Sequence, residues 1–443
     1  MIEKKKAFAA LVILCGIAVG CSNSKPANVG GNEGKTADAP EAAADVTKYT
    51  GGPVELLVQD RNTGITQEEF DEYFAKAVKE KYPDITLKLT KETNIDKLLA
   101  AGTPPDIVAV SNTALNEYYE RDYPEDLTEM ITRFKIDLNK FEPSIINTLR
   151  GLAGGKGIHG LPYGMNYGAM MFNKDIFNKF GVPYPNEVIT WEEYLDLAKR
   201  LTRKDGNDQY IGGTPSSVLN VLRQYGVSNV DAKDEKAVLT TPQHQQIFAF
   251  LKQFFEIPGL IQGNTYIQSN INSGKIAMQN NWITAMSTSI LNNNPQFDWD
   301  LSAHPVFKEK PNIGNPVDFH MLTVNKASKN KEAAYRAILV LISEEMQMQF
   351  SKNRRITPLK NDTIRAAFAS DSNIFTGKRL QSIFKVEPAP VPDYSIWKAV
   401  IDPFVNEAAK QIALNGVDIN TALREQEEKA NQAIKAALEA KKK

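Results

Sequence analysis

Strand-length apolar runs alternate with helical segments along most of this chain, and that alternation limits the folds it can adopt. Residues 54–60 and 106–111 are apolar runs of strand length, and residues 85–89 alternate between apolar and polar. After the first of these strands, Thr66 and Glu69 have the spacing of a helix capping box, and apolar residues then recur at helical intervals. This β-α-β-β progression predicts an α/β sheet that is covered by helices.

The same pattern repeats after Gly160. Residues 161–173 are strand-like, and Thr190 and Glu193 form a second capping box that opens a helix. Further helices are predicted at residues 242–256, 329–351 and 418–441. Since 443 residues are enough for two to three domains, we expect a second α/β unit beside the first.

Charge and cysteine content exclude several classes of protein. The chain has 52 Lys plus Arg against 53 Asp plus Glu, which gives no support to a general nucleic-acid binder. Its two cysteines are Cys15 and Cys21, so no thiol follows residue 21. A disulfide framework, a cysteine-ligated metal and a cysteine nucleophile are therefore excluded for the body of the chain.

The N-terminus has the pattern of a secretory signal. Three lysines at residues 4–6 precede an apolar stretch over residues 7–19, and small residues stand just before Cys21. This order fits the signal of bacterial lipoproteins, in which residues 1–20 are removed and Cys21 carries lipid, such as palmitate. Residues 21–49 contain few bulky apolar groups, which predicts a flexible tether. We expect the body to be lipid-anchored at the cell membrane on its extracytoplasmic side. The alternative, an uncleaved anchor helix, fits less well because the apolar run is short.

The usual signatures of catalysis are not found. Residues 155–160 match the letters of the dinucleotide fingerprint, but a helix precedes them and a strand follows, the reverse of the order that phosphate binding needs. No histidine spacing indicates a metal site among His159, His244, His304 and His320. We therefore predict no catalytic residue, no metal and no cofactor.

Several short segments occur in a characteristic order along about 300 residues. They are PPDIVAV (104–110), DLT (126–128), GKGIHGLPY (155–163), FNKD (172–175), TWEE (190–193), GKIAM (274–278) with Trp282, SKNKEAA (328–334), and the stretches 392–397 and 421–423. In order and spacing they resemble the bacterial extracellular solute-binding proteins, the family that includes maltose-binding protein.

The resemblance implies an α/β fold of the type II periplasmic-binding-protein kind, with two α/β lobes, a hinge and a ligand cleft between the lobes. It places the crossings between lobes near residues 160, 298 and 352. The N-terminal lobe is then expected at residues 50–160 and 298–351, and the C-terminal lobe at residues 161–297 and 352–443.

The resemblance also implies a function, and that function is not enzymatic. The protein would capture a carbohydrate, more specifically an oligosaccharide, close over it, and deliver it to the permease subunits of an ABC importer. A monomer is expected. Three alternatives stay open at this point: a ligand sensor of the same fold that signals to a membrane receptor, a binder of a non-sugar solute, and a secreted glycan-active enzyme.

Sugar sites combine aromatic faces with planar polar side chains, which selects candidate residues. Trp397 matches the family's C-terminal tryptophan, which stacks on the ligand. Trp282 follows the Gly-Lys turn, two positions earlier than the family's usual tryptophan. The other candidates lie at strand ends, at the predicted crossover or before Ile-Thr-Pro, and they are Asp60, Ser111, Asn112, Tyr163, Asn166, Tyr167, Phe319 and Arg355.

Each candidate also has a structural interpretation. Trp397 and Tyr163 could be packing residues, and Asp60 could belong to a surface turn. Arg355 could meet hydroxyl groups or an acidic sugar, or it could cap a helix.

Overall fold

The structure, a computed structural model, describes residues 48–215, 217–266, 271–390 and 395–440. The predicted signal peptide, the predicted lipidation site Cys21 and almost all of the predicted tether lie outside the described residues, as does Pro392.

Strands are found at each of the four stretches predicted from sequence, residues 54–60, 85–89, 106–111 and 161–173, and further strands follow later in the chain. In chain order they are β1 (Val54–Arg61), β2 (Ile85–Thr90), β3 (Ile107–Ser111), β4 (Leu161–Asn166), β5 (Gly168–Asn173), β6 (Arg203–Asp205), β7 (Asp208–Gly213), β8 (Ile276–Trp282), β9 (Trp299–Ala303), β10 (Ile313–Pro316), β11 (Asp318–Val324) and β12 (Glu387–Ala389).

The helices fill the intervals between the strands and the C-terminal part of the chain. They are α1 (Gln67–Glu69), α2 (Lys76–Lys81), α3 (Ile95–Ala100), α4 (Asn116–Tyr119), α5 (Thr128–Arg133), α6 (Pro143–Leu152), α7 (Lys174–Phe180), α8 (Trp191–Leu201), α9 (Val218–Tyr225), α10 (Pro242–Phe255), α11 (Ile283–Asn293), α12 (Lys331–Leu341), α13 (Glu344–Lys352), α14 (Asp362–Ala366), α15 (Lys398–Asn415) and α16 (Ile419–Ala440). A π-helical segment, Phe70–Ala75, joins α1 to α2. No helix in the described ranges is both long enough and apolar enough to cross a membrane.

Within the described residues the strands form two five-stranded sheets, each the centre of an α/β lobe. The first lobe has the strand order β2-β1-β3-β11-β4, with β1 parallel to β2 and β3, and β11 antiparallel to β3 and β4. The second lobe has the order β6-β7-β8-β5-β9, with β5 antiparallel to β8 and β9. Two lobes built on separate sheets are the architecture that the sequence predicts.

The described residues contain two large apolar cores, the first built mainly from first-lobe residues and the second entirely from second-lobe residues. In the first lobe the ring of Phe74 packs against Tyr163 and Phe350, with centroids 5.5 and 5.0 Å away. In the second lobe Trp191 is fully buried, and its indole N–H donates to Gln224 Oε1 at 3.0 Å. The first core also contains Ile276, Trp299 and Leu301 of the second sheet, so apolar packing continues from the first lobe into the second.

The connections between the lobes lie later in the chain than predicted. The strand β4 belongs to the first sheet, so the chain first crosses at Tyr167 and not near residue 160. It returns between β9 and β11, through β10, and not near residue 298. Strand pairing fixes these positions, and pairing partners far apart in sequence cannot be read from local patterns.

The third crossing also differs from its expected place near residue 352. After α13 the chain stays on the first lobe, where Ile356 bridges to Met165 and Arg365 pairs with Glu142. It reaches the second lobe where Arg379 donates its backbone N–H to Asp300 at 2.7 Å. Further on, β12 pairs with β10 as a two-stranded parallel hinge ribbon.

Candidate functional site

A cleft with an empty volume of about 930 Å³ lies between the lobes, beside the hinge. From the first lobe it is lined by Asn112, Thr113, Asn116, Thr148, Leu152 and Asp318. From the second lobe the lining includes Asn220, Arg223, Ser228, Asn229, Trp282, Lys398 and Asp402. The described lining therefore combines amide, hydroxyl and charged groups with one tryptophan and with several apolar side chains, namely Leu152, Val227, Val230, Pro316, Val317 and Ile401.

The topology explains why these side chains meet. Asn112 directly follows β3, and Asp318 opens β11, which runs antiparallel to β3. The end of one strand and the beginning of the other therefore lie at the same edge of the first sheet. Trp282 ends β8 and pairs with Gly168, the first residue of β5 after the crossing, so it faces the same gap from the second lobe.

Asp318 forms the floor of the cleft. Ser111 Oγ donates to its Oδ1 at 3.2 Å, and Asn166 Nδ2 donates to its Oδ2 at 3.3 Å. Only 14% of the Asp318 side chain is exposed. Burial raises the pKa of this carboxyl to about 6, and the two hydrogen bonds offset part of the increase.

A buried series of hydrogen-bonded side chains, Glu69, Arg355 and His320, lies behind Asp318. Arg355 donates from Nε and Nη2 to the carboxylate of Glu69, at 2.9 and 3.0 Å, and from Nη1 to His320 Nδ1 at 2.9 Å. A guanidinium only donates, so Nδ1 of His320 accepts and the imidazole carries its proton on Nε2. Burial, and then the charge of Arg355, hold the pKa of His320 well below its ordinary value. His320 Nε2 lies 3.9 Å from Asp318 Oδ2.

On the opposite wall, two cations share one carboxylate oxygen. Arg223 Nη2 and Lys398 Nζ lie 2.9 and 2.8 Å from Oδ2 of Asp402. The three side chains come from α9 and α15, which pack together in the second lobe. Asp402 offsets one of the two positive charges, so this group keeps a net charge of one.

Asn166 joins the two lobes at the edge of the floor. Its Nδ2 donates to Asp318, and its Oδ1 accepts from the backbone N–H and the hydroxyl of Thr284, at 3.3 and 3.0 Å. Asn166 ends β4 in the first lobe, whereas Thr284 lies in the first turn of α11 after the second lobe's β8. This amide therefore orients Asp318 and spans the hinge.

Four of the residues predicted from sequence lie in or directly behind the cleft. Asn112 and Trp282 line it, and Ser111 and Asn166 contact Asp318. Arg355 lies apart from these four, in a neighbouring pocket between the β1–α1 loop and α11.

The structure differs from the sequence interpretation at Trp397. The ring is 4% exposed and belongs to the apolar core of the second lobe, and its indole N–H donates to the carbonyl oxygen of Asp234 at 2.9 Å. Its neighbours Ser395 and Lys398 line the cleft, but Trp397 does not. This geometry favours the packing interpretation.

Four other candidates also lie outside the cleft lining, namely Asp60, Tyr163, Tyr167 and Phe319. Asp60 accepts from the backbone N–H of Thr63 at 3.2 Å within a turn, and burial raises the pKa of its carboxyl. Tyr163 is fully buried and donates to Thr63 Oγ1 at 2.8 Å. Tyr167 lies at the first crossing with its ring against Phe384.

Phe319 is buried in the first core, but its backbone has a role in the site. Its N–H donates to Asn112 Oδ1 at 3.1 Å, and its carbonyl oxygen accepts from the backbone N–H of Asn112 at 3.0 Å. The residue thus orients Asn112 rather than facing the cleft itself.

Sequence reasoning missed Asp318, Arg223, Lys398 and Asp402. For Asp318 a signal existed, because it directly precedes the pair Phe319–His320 at the start of an apolar strand. The other three lie on helices, and nothing local distinguishes them from ordinary solvent-facing charges. Among the residues that the structure describes, no group of three or more His, Cys, Asp or Glu side chains is placed to hold a metal ion.

Comparison with known proteins gives a consistent result. A family model described as bacterial extracellular solute-binding protein matches residues 63–348. A Brucella abortus (strain 2308) protein named as a binding protein is 23% identical over 425 residues, which cover 90% of this chain and 95% of the relative.

Solved structures show the same fold. An ABC substrate-binding protein from Listeria monocytogenes, solved in complex with cycloalternan, has a TM-score of 0.68 at 18% identity and covers 86% of this chain and 99% of its own. The sugar-binding protein MalE from Xanthomonas citri has a TM-score of 0.65 at 15% identity, with 88% and 100% covered. At these identities the likeness shows the fold alone.

Proposed function

The chain belongs to the bacterial extracellular solute-binding protein family, and from that premise we propose that it captures an oligosaccharide outside the membrane and delivers it to an ABC importer. The family and the fold are those of substrate-binding proteins, not of enzymes. The observation that carries the proposal is the interlobe cleft, whose described lining combines one tryptophan and several apolar side chains with amide, hydroxyl and charged groups.

The chemistry of this cleft suits a saccharide. The face of Trp282 can cover the C–H face of a sugar ring, while planar amides such as Asn112, Asn116 and Asn220 pair with hydroxyl groups. Of the two solved structures described above, one is in complex with cycloalternan and the other is named a sugar-binding protein, which supports the same ligand class.

Hinge closure follows from the position of the ligand. A saccharide in the cleft would contact both lobes, and each contact that exists only in the closed form favours closure. The connections that would bend are those in which the chain passes between the two sheets, namely Tyr167, the segment through β10, and the segment between Arg365 and Arg379.

The proposal includes a lipid anchor on Cys21. It rests on the sequence alone, namely the lysines at residues 4–6, the apolar stretch at residues 7–19 and the small residues before Cys21. A Cys21→Ser variant should lose incorporation of labelled palmitate and move from the membrane fraction to the medium or periplasm. Equal membrane retention of both forms would contradict the anchor.

The partners in this proposal are the carbohydrate and the permease subunits of the importer, with the protein acting as a monomer. Delivery to the permease is tested by uptake. A strain without this protein should lose import of the saccharide that it binds, and unchanged import would contradict the transport role.

A thermal-shift panel tests the ligand class. The purified protein is heated with mono- and oligosaccharides, uronates, amino acids, peptides, polyamines and metal ions. A ligand that binds only the folded state stabilises it by RT ln(1 + [L]/Kd), about 2.7 kcal/mol at a hundredfold excess over Kd. We expect an oligosaccharide to raise Tm by several degrees. A shift with another class and with no saccharide would overturn the substrate assignment.

A further inference from the structure

Asp318 is the charged group of the cleft that has no counter-ion. In the described part of the chain its oxygens accept from Ser111 and Asn166, which are neutral, and no lysine or arginine forms an ion pair with it. A carboxylate this buried needs strong donors to offset its lost hydration. The two donors lie at 3.2 and 3.3 Å, at the long end of hydrogen-bond distances.

The nearest ionisable neighbour cannot neutralise this charge. His320 would have to carry a second proton on Nδ1, but Nδ1 already accepts from the guanidinium of Arg355. Arg355 itself is held by both oxygens of Glu69 and by the carbonyl oxygen of Thr63. Because Arg355 and His320 are already engaged with each other and with Glu69, Asp318 remains a hydrogen-bond acceptor that faces the cleft.

A donor lies beside this acceptor. Asn112 Oδ1 is occupied by the backbone N–H of Phe319 at 3.1 Å, which fixes the orientation of the amide. The NH₂ group of Asn112, which forms no hydrogen bond with a described residue, is the donor that this side chain can offer to a ligand. Asn112 and Asp318 lie at the same edge of the neighbouring strands β3 and β11, and both line the cleft. A hydroxyl group can donate to Asp318 while it accepts from Asn112.

The remaining charges do not favour an anionic ligand. Among the described residues, the charged side chains that line the cleft are two cations, Arg223 and Lys398, and two carboxylates, Asp318 and Asp402, so this part of the lining has no net formal charge. Both cations contact the same oxygen of Asp402, at 2.9 and 2.8 Å. Asp402 offsets one of these two positive charges and one remains in the second-lobe wall, whereas Asp318 in the first-lobe wall forms no ion pair with a described lysine or arginine.

We propose that Asp318 and Asn112 form an acceptor–donor pair that determines specificity, selecting an uncharged saccharide through its hydroxyl groups and rejecting saccharides that carry a carboxylate. The inference rests on the proposed function and adds the ligand's charge class to it. The physical reason for rejection is that a carboxylate brought near Asp318 in a water-poor cleft would be repelled and would leave Asp318 without a donor.

Isothermal titration calorimetry of the purified protein tests the pair. The probes are neutral trisaccharides (maltotriose, mannotriose, cellotriose and galactotriose) and the acidic trisaccharides trigalacturonate and trimannuronate. We expect the best neutral probe to bind at least 10-fold more tightly than either uronate. The Asp318→Asn variant keeps the shape of the side chain and removes its charge. We expect the ratio of neutral-probe affinity to uronate affinity to fall by about 10-fold in this variant.

Controls separate this effect from damage to the fold. Glu187→Gln removes a carboxylate that pairs with Lys385 outside the cleft lining, and it should keep the wild-type ratio. If Asp318→Asn does not fold, Asn112→Ala replaces it, and we expect this variant to lose affinity for the neutral probe.

The outcomes distinguish the two proposals. A wild-type protein that binds a uronate as tightly as the best neutral probe overturns the specificity pair and leaves the proposed function standing. An unchanged ratio in Asp318→Asn does the same. A wild-type protein that binds none of the saccharides, neutral or acidic, overturns the proposed function and this inference with it.

Discussion

Asn166 accepts two hydrogen bonds from Thr284, one from its backbone N–H at 3.3 Å and one from its hydroxyl at 3.0 Å, and so connects the last residue of β4 to the first turn of α11 across the hinge. The same amide donates to Asp318 on the cleft floor. A single side chain therefore connects the floor of the cleft to both lobes, and it is 5% exposed.

Removing this connection should destabilise the protein. Asn166→Ala leaves the backbone N–H of Thr284 and Oδ2 of Asp318 without their partner, and we expect a loss of about 1–3 kcal/mol in the free energy of unfolding. Urea denaturation measures it. Asn292→Ala, the same substitution at an exposed position of the same helix, is the matched control and should cost under about 0.5 kcal/mol. Equal stability of Asn166→Ala and wild type would show that the bridge contributes nothing.

Asp318 should make the stability depend on pH. Its pKa is about 6 in the folded protein and 3.8 ordinarily, so between these values the folded state binds the proton more tightly. The contribution of Asp318 to the free energy of unfolding is therefore highest below about pH 4, and it falls as the pH rises through 6. His320 stays neutral throughout because Arg355 occupies its Nδ1, and the charged groups across the cleft are Arg223, Lys398 and Asp402.

The Asp318→Asn variant isolates this effect. We expect the stability of wild type relative to Asp318→Asn to fall by about 2–3 kcal/mol between pH 4 and pH 7.5, since one pKa unit corresponds to about 1.4 kcal/mol. Urea unfolding of both proteins at a series of pH values measures the difference in their free energies of unfolding. The contributions of the other titrating groups cancel in this difference, because the two proteins share them. A difference that does not change with pH would contradict the buried, unpaired carboxylate.

The ion pair of Arg355 with Glu69 should stabilise the first lobe without contributing to ligand affinity. The two side chains are 7% and 14% exposed, so removing one partner leaves a buried charge alone. We expect Arg355→Met to cost about 3–5 kcal/mol, and the double variant Arg355→Met, Glu69→Leu to cost less than the sum of the single variants. Denaturation of all four proteins gives the coupling, and additive costs would count against the pair.

The same ion pair shows where sequence reasoning ends. The spacing of Thr66 and Glu69 predicts a capping box, and Thr66 Oγ1 does accept from the backbone N–H of Glu69 at 3.1 Å. The Glu69 carboxylate, however, pairs with Arg355, far along the chain. At Thr190 and Glu193 the full reciprocal box forms, because no distant cation competes. Helix starts are local and could be predicted, whereas long-range partners could not.

The candidate site follows the same rule. Asn112 and Ser111 could be predicted because strand ends meet at one edge of a sheet. Trp397 was assigned to the ligand by resemblance, but burial in the second core is a property of tertiary packing that the motif does not contain. Asp318 was missed because its significance comes from β11 pairing with both β3 and β4.

Trp397 provides a test of the packing interpretation. Trp397→Phe keeps an aromatic ring but removes the hydrogen bond to the carbonyl oxygen of Asp234. We expect a lower Tm, with a loss of roughly 1–3 kcal/mol, and ligand affinity within about threefold of wild type. A large loss of affinity at unchanged stability would return Trp397 to the ligand site.

The central claim is that a saccharide binds in the cleft against Trp282, and calorimetric titration of wild type and Trp282→Ala tests it most directly. The probe is the saccharide that gives the largest thermal shift, and Tyr184→Ala, an exposed aromatic of the second lobe, is the control. We predict one saccharide bound per chain, affinity lower by about 2 kcal/mol (roughly 30-fold) in Trp282→Ala, and no change in Tyr184→Ala. Wild-type affinity in a folded Trp282→Ala protein would contradict the account.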